Sequence, residues 1–228
     1  MKQTIKGKKW RADSPIKGSL NVIRSDKKVY FLEPDTSDQI EFDIQVREQQ
    51  YALYAEEYLP EQLTQTGRKK ADVMVLLLDE MSQQGVWYVL DAKRTVAGAD
   101  VIFHLCEQWK DTIQYLNHTI LAFLEHVTFQ EYLGVATECV DYSRIDYEIA
   151  ARKNKLENFR VIEGNQAVFS KMKAELLKVE KEKSLLEQFR NGKFTYRDQW
   201  GEHEYLYKIY LLQEQENKVK SCTIKVQL

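Results

Sequence analysis

Residues 68–94, RKKADVMVLLLDEMSQQGVWYVLDAKR, constrain the fold more than any other stretch. Asp72 to Leu78 holds one apolar run, and Val86 to Leu90, VWYVL, holds a second. Both are too short for ordinary helices and mostly continuous rather than alternating, which suits strands covered on both faces. The polar stretch DEMSQQG between them ends in Gly85 and supplies a turn, so the segment predicts a β-hairpin.

Register then brings chemistry to one place. Side chains alternate along a strand, so Asp91 and Lys93 share a face. Pairing the strands about Ser82 and Gln83 sets Asp72 opposite the stretch from Asp91 to Lys93. Opposed Cβ atoms lie roughly 5 Å apart, so two carboxylates and one ammonium are expected to converge at the open end of the hairpin. Charges beside so apolar a hairpin are costly to bury. A bound cation is the usual compensation, and carboxylate oxygens suit Mg²⁺ or Mn²⁺.

Asp72, the eighteen residues 73–90, and then Asp91-Ala92-Lys93 resemble the PD-(D/E)XK nuclease superfamily. Ala71-Asp72 stands where that family often has Pro-Asp. The resemblance covers about residues 45–140. It implies an α/β, restriction-endonuclease-like core of αββαβ order, with a mixed central sheet flanked by helices. It also implies a Mg²⁺- or Mn²⁺-dependent endonuclease that hydrolyses DNA phosphodiester bonds. Asp72 and Asp91 would be metal ligands, the Ala92 carbonyl would add another, and Lys93 would orient the attacking water or stabilise charge on phosphorus. A lysine ordinarily titrates near about 10.4, so the electrostatic role is preferred over general base. In the family a helix before the hairpin often supplies one more acidic ligand. Glu48, Glu56 and Glu57 are the candidates here, with Glu48 favoured. Polar residues on the helix after the triplet loosely resemble those of RecB-like and McrBC-type nucleases, and Gln108 and Lys110 are expected to hold a scissile phosphate. The same likeness suggests bacterial restriction or anti-phage defence, beside a co-encoded ATPase or target-sensing subunit, as a homo-oligomer or hetero-complex. Two alternatives stay open: a non-catalytic module that binds nucleic acid or a partner protein, and an RNA-directed nuclease.

Around this core the chain is expected to form three parts. Residues 1–44 read as a small N-terminal β appendage, with strands in SLNVIRS, KKVYFLEP and IEFDIQV. Residues 45–165 hold the nuclease core. Within it, Arg47 to Leu63 has tyrosines at helical spacing and is expected to be a helix. Arg68, Lys69 and Lys70 form a basic triplet that would steer a phosphate backbone. The stretch VIFHLCEQWKDTIQYLNHTI predicts a helix with the apolar stripe Leu105, Trp109, Ile113 and Leu116. A strand is expected at Leu133 to Val140 and a short one at Phe159 to Ile162. Residues 166–228 read as a C-terminal extension, a helix stopped by Asn191-Gly192 followed by strands.

Composition adds limits. The 228 residues are 43% hydrophobic and 30% charged, so a sizeable core can form. Net charge is −2, so nucleic-acid binding must rest on a local basic patch rather than on overall charge. Cys106, Cys139 and Cys222 are widely spaced and odd in number, which suggests reduced thiols in a cytoplasm. The charged start MKQTIKGKKWRADS lacks an apolar core, so no signal peptide or transmembrane run is expected.

Overall fold

The computed structural model describes residues 3–5, 8–10, 20–32, 38–55, 69–79, 81–124, 126–162, 166–199, 201–216 and 219–228. The fold is α/β, with a mixed sheet flanked by helices. The chain divides into two compact units, the first of residues 1–94, 107–138 and 207–228, the second of residues 95–106 and 139–206. Among the described residues no helix is long and apolar enough to cross a membrane.

In chain order the strands are β1 (Gln3–Ile5), β2 (Lys8–Trp10), β3 (Leu20–Ile23), β4 (Lys27–Leu32), β5 (Gln39–Ile44) and β6 (Gln50–Ala55). The hairpin follows as β7 (Val73–Asp79) and β8 (Gln84–Val96), then helix α1 (Ala99–Tyr115) and β9 (Thr128–Val140). Helices α2 (Tyr142–Ile162) and α3 (Gln166–Arg190) come next, and β10 (Lys193–Asp198), β11 (Gly201–Leu211), β12 (Gln213–Glu214) and β13 (Lys220–Val226) complete the order.

The expected hairpin forms in the expected register. Strands β7 and β8 are antiparallel with Val73 opposite Leu90 and Asp79 opposite Gln84, so the next step outward sets Asp72 against Asp91. Residues 73–77 of β7 and 85–92 of β8 are buried on both faces, which is why their runs are continuous rather than alternating. The turn differs in one respect. Its left-handed residue is Gln83, with φ 59°, and not Gly85. Gly85 lies within β8, where a Cβ would overlap the Phe129 ring, so glycine is needed there for close packing and not for the turn.

On one side of the hairpin β6 pairs antiparallel with β7, and β3 with β6. On the other side β9 adjoins β8. Thr128 N–H donates to Gln83 C=O, and Thr137 Oγ1 donates to Arg94 C=O. The start of β9 therefore lies beside the start of β8, and the two run parallel through the α1 crossover. The second half of β11 pairs parallel with β9. The sheet is thus antiparallel on the β3 side and parallel on the β11 side. A second sheet, ordered β12-β13-β5-β4, packs one face on it. Phe31, Ile40, Phe42, Ile44, Ile224 and Val226 of that sheet share a core with Val73, Val75, Leu77, Val86, Tyr88 and Leu90.

Several expectations are corrected here. Residues 20–44 form strands as expected but no separate appendage, since β3 extends the main sheet and β4 and β5 close its core. Residues 207–228 likewise belong to the first unit, with β13 parallel to β5. The helix expected from Arg47 is absent over its first part. Arg47 to Gln50 form a tight turn, with Gln50 N–H bonded to Arg47 C=O at 3.0 Å, and residues 50–55 are strand β6. All six residues of β6 are buried. Tyrosines covered on both faces of a central strand mimic the spacing of a helical stripe. The rest of that expected helix, residues 56–63, lies outside the described residues.

In the second unit, residues 142–162 form one helix, so the short strand expected at Phe159 to Ile162 is not there. Helix α3 ends as expected, with Gly192 at φ 73° accepting the left-handed stop. Helices α2 and α3 are tied by Arg152 to Glu182 at 3.0 Å and Arg190 to Asp146 at 2.9 Å. Strands β10 and the first half of β11 form an antiparallel hairpin.

Candidate metal centre

The site forms because β8 outruns β7. Strand β7 starts at Val73, while β8 continues to Val96. Beyond Leu90 one edge of β8 therefore loses its ladder partner, and its next inward-facing amide needs another acceptor. The Asp72 side chain supplies it: Ala92 N–H donates to Asp72 Oδ2 at 2.7 Å. That bond draws Asp72 onto the Asp91-Ala92-Lys93 triplet.

Strand alternation places Asp91 and Lys93 together, as expected. Lys93 Nζ lies 3.5 Å from Asp91 Oδ1 and 3.8 Å from Asp72 Oδ2. Asp91 is 0% exposed, and its Oδ2 accepts no well-formed hydrogen bond. The Asp72 and Lys93 side chains are each about one-fifth exposed, at 20% and 21%, so the site opens to solvent on their side. Burial, and next the charge of Asp72, push the Asp91 carboxyl well above the usual carboxylate range, with Lys93 and the Trp109 side chain opposing. Ionising both carboxyls beside one ammonium would leave a net negative charge in the recess, which a cation would relieve.

Helix α1 closes the site from one side. Trp109, Ile113 and Leu116 are fully buried, as the stripe predicts, and the Trp109 ring meets Tyr207 of β11 at 5.2 Å. The polar residues of the same helix do something the sequence did not reveal. Asp111 Oδ2 accepts the Lys69 N–H at 2.9 Å, Gln108 Nε2 donates to the Lys70 C=O at 2.8 Å, and Thr112 Oγ1 accepts the Ala71 N–H at 2.7 Å. Thr112 is fully buried. The sequence shows only a threonine four residues after a glutamine, and nothing in it marks the pair as buried or names the backbone it binds.

The other expected site residues divide as follows. Gln108 is turned inward, 7% exposed, with its amide nitrogen on the backbone of Lys70, which corrects its expected role on a phosphate. Lys110 stands two residues on, about 200° around the helix, and is half-buried. Lys69 and Lys70 adjoin Asp72 in sequence and are half-buried, and Lys69 Nζ pairs with Glu107 at 2.6 Å. Arg68, Glu56 and Glu57 lie outside the described residues. Glu48 is exposed in the Arg47–Gln50 turn, and β6 sets that turn beside Asp79. Asp72 is at the other end of β7, about 20 Å away at strand rise, so Glu48 does not join the pair. Among the described residues no three His, Cys, Asp or Glu side chains come together. Two carboxylates could hold Mg²⁺, an ion that keeps several waters and takes one or two carboxylates plus substrate oxygens.

Comparison of the chain with known protein families, curated proteins and solved structures gives no match.

Proposed function

We propose that the first unit is a divalent-cation-dependent phosphodiesterase acting on nucleic acid, DNA in the first instance. The observation that carries this reading is Asp91. A fully buried carboxylate with an unsatisfied oxygen, set against a second carboxylate and bridged by one lysine, is a poor structural element and a good cation ligand. The mixed sheet and the β7–β8–α1–β9 order agree with the later part of the αββαβ core that the PD-(D/E)XK resemblance implies, while strand β6 stands where the start of its first helix is expected.

In this reading Asp72 and Asp91 hold the cation, with the Ala92 carbonyl as a further ligand. A bound Mg²⁺ would polarise a phosphoryl oxygen and acidify a water. Asp91 would supply a ligand oxygen that is already desolvated and accepts no well-formed hydrogen bond. Asp72 is held by the Ala92 amide at Oδ2, so the direction of its carboxylate is set. Lys93 presents its ammonium at the solvent-facing mouth between the two acids, where it would hold a phosphate oxygen and offset charge that develops on phosphorus. Lys69 and Lys70, just before Asp72, would contact the flanking phosphates. A role in restriction or anti-phage defence, with a co-encoded ATPase or target-sensing partner, rests on the resemblance alone.

The test is cleavage of supercoiled plasmid and of single-stranded RNA with Mg²⁺, with Mn²⁺ and with EDTA. Cleavage of plasmid with either ion and none with EDTA supports the reading. Equal cutting in EDTA, or no cutting of either polymer, overturns it. Cutting of RNA alone replaces DNA with RNA as the substrate.

A further inference from the structure

We infer that one turn of helix α1, Gln108, Asp111 and Thr112, positions Asp72 for cation binding. The inference rests on the reading above and names residues outside the carboxylate pair. Residues 69–71 precede β7 and belong to no described strand. Three consecutive residues instead give one backbone group each to the helix: the amide of Lys69 to Asp111, the carbonyl of Lys70 to Gln108, and the amide of Ala71 to Thr112. The helix residues are spaced i, i+3 and i+4, which is one face of one turn. Ala71 and Thr112 are fully buried, so water cannot replace their bond.

Asp72 is the next residue. Its backbone is held on one side by this clamp and on the other by the β7–β8 ladder, and its Oδ2 by the Ala92 amide. An unbroken run of hydrogen bonds and backbone thus joins α1 to the Asp91-Ala92-Lys93 triplet. The clamp fixes how far Asp72 stands from Asp91, the distance on which shared coordination of one ion depends. These are positioning residues. They act through Asp72 and touch neither the ion nor the substrate.

Thr112→Val keeps the shape of the side chain and removes the acceptor, while Thr112→Ser keeps the hydroxyl. Three readouts apply: Mn²⁺ affinity by calorimetry on the full chain without nucleic acid, the exchange rate of the Ala92 amide by NMR in EDTA, and the kinetics of plasmid cleavage. In Thr112→Val, Mn²⁺ affinity is expected to fall on the order of 10- to 100-fold, the usual effect of losing a group that orients a metal ligand. The Ala92 amide is expected to exchange faster, and KM for plasmid to stay within about threefold while kcat falls. Thr112→Ser is expected to restore all three. If Thr112→Val does not fold, Asp111→Ala, at a half-exposed position, is expected to shift the same readouts in the same direction. Parental Mn²⁺ affinity together with parental Ala92 exchange in a folded Thr112→Val or Asp111→Ala chain overturns the inference. A parent that takes up no Mn²⁺ overturns the cation reading instead. Ala92 exchange alone then decides the clamp, faster in the variant supporting it and unchanged refuting it.

Discussion

The β7–β8 hairpin carries an aspartate at each end, and the two live in opposite surroundings. At the closed end Asp79 receives three hydrogen bonds: from Met81 N–H at 2.8 Å and Ser82 N–H at 3.0 Å to one oxygen, and from Gln50 Nε2 at 3.1 Å to the other. The Ser82 amide above all holds its carboxyl below the usual range. At the open end Asp91 is deeper, has an oxygen with no good donor, faces a second acid and is pushed upward. One strand pair thus shows what an acid looks like when it serves the fold and when it costs the fold something. Residue type does not separate the two roles, and neither does proximity to the apolar runs. The count of satisfied oxygens does.

The contrast breaks most sharply in cleavage. Asp91→Ala or Lys93→Ala is expected to reduce divalent-dependent plasmid cleavage by about 10²- to 10³-fold, the range for removing one group that stabilises developing charge. Asp79→Ala is expected to leave it within about twofold. Parental cutting by Asp91→Ala, or equal losses at both ends, would erase the distinction.

The next largest effect is on stability, in EDTA, followed by thermal melting. Asp79→Ala removes the acceptor for two turn amides and is expected to cost about 1–2 kcal/mol at neutral pH. Its folded pKa is depressed, so its contribution is present above the unfolded value of about 3.9 and is lost as pH falls through the folded value. The gap between parent and variant should therefore close in acid.

Asp91→Asn is expected to do the reverse by a smaller margin. The folded state holds the Asp91 proton more tightly than the unfolded state, so its contribution is full below about 3.9 and is lost as pH rises through the raised folded value. The variant should melt a few degrees above the parent at pH 8, about 1 kcal/mol, with the difference vanishing towards pH 4. A variant less stable than the parent at pH 8 would show that the charge at Asp91 is well compensated without a cation.

Much of this was legible in the residues. Continuous apolar runs around a polar turn gave the hairpin, and alternation gave the meeting of Asp72, Asp91 and Lys93. The turn at Gly192 and the stripe of α1 were equally local. The failures share a cause. Residues 50–55 were misread because a strand buried on both faces has no period of its own, and only β3 and β7 on either side decide that it is a strand. Glu48 followed that error to the wrong end of the sheet. Gln108 reads as a phosphate contact, and the clamp it forms with Asp111 and Thr112 is not legible, because the backbone they bind lies 38 to 42 positions earlier in the chain.

The closing of the core by β13 has a kinetic side. Tyr88, three residues from Asp91, is hydrogen-bonded through its hydroxyl to the carbonyl of Lys225, a sequence separation of 137. Strand β11 joins β9, with Tyr207 opposite Leu133, across about half that separation. Contacts this distant put the chain among slow folders, since long loops must close before their pairing is rewarded. The face of β8 that packs on β13, opposite the face that carries Asp91, would therefore be completed late.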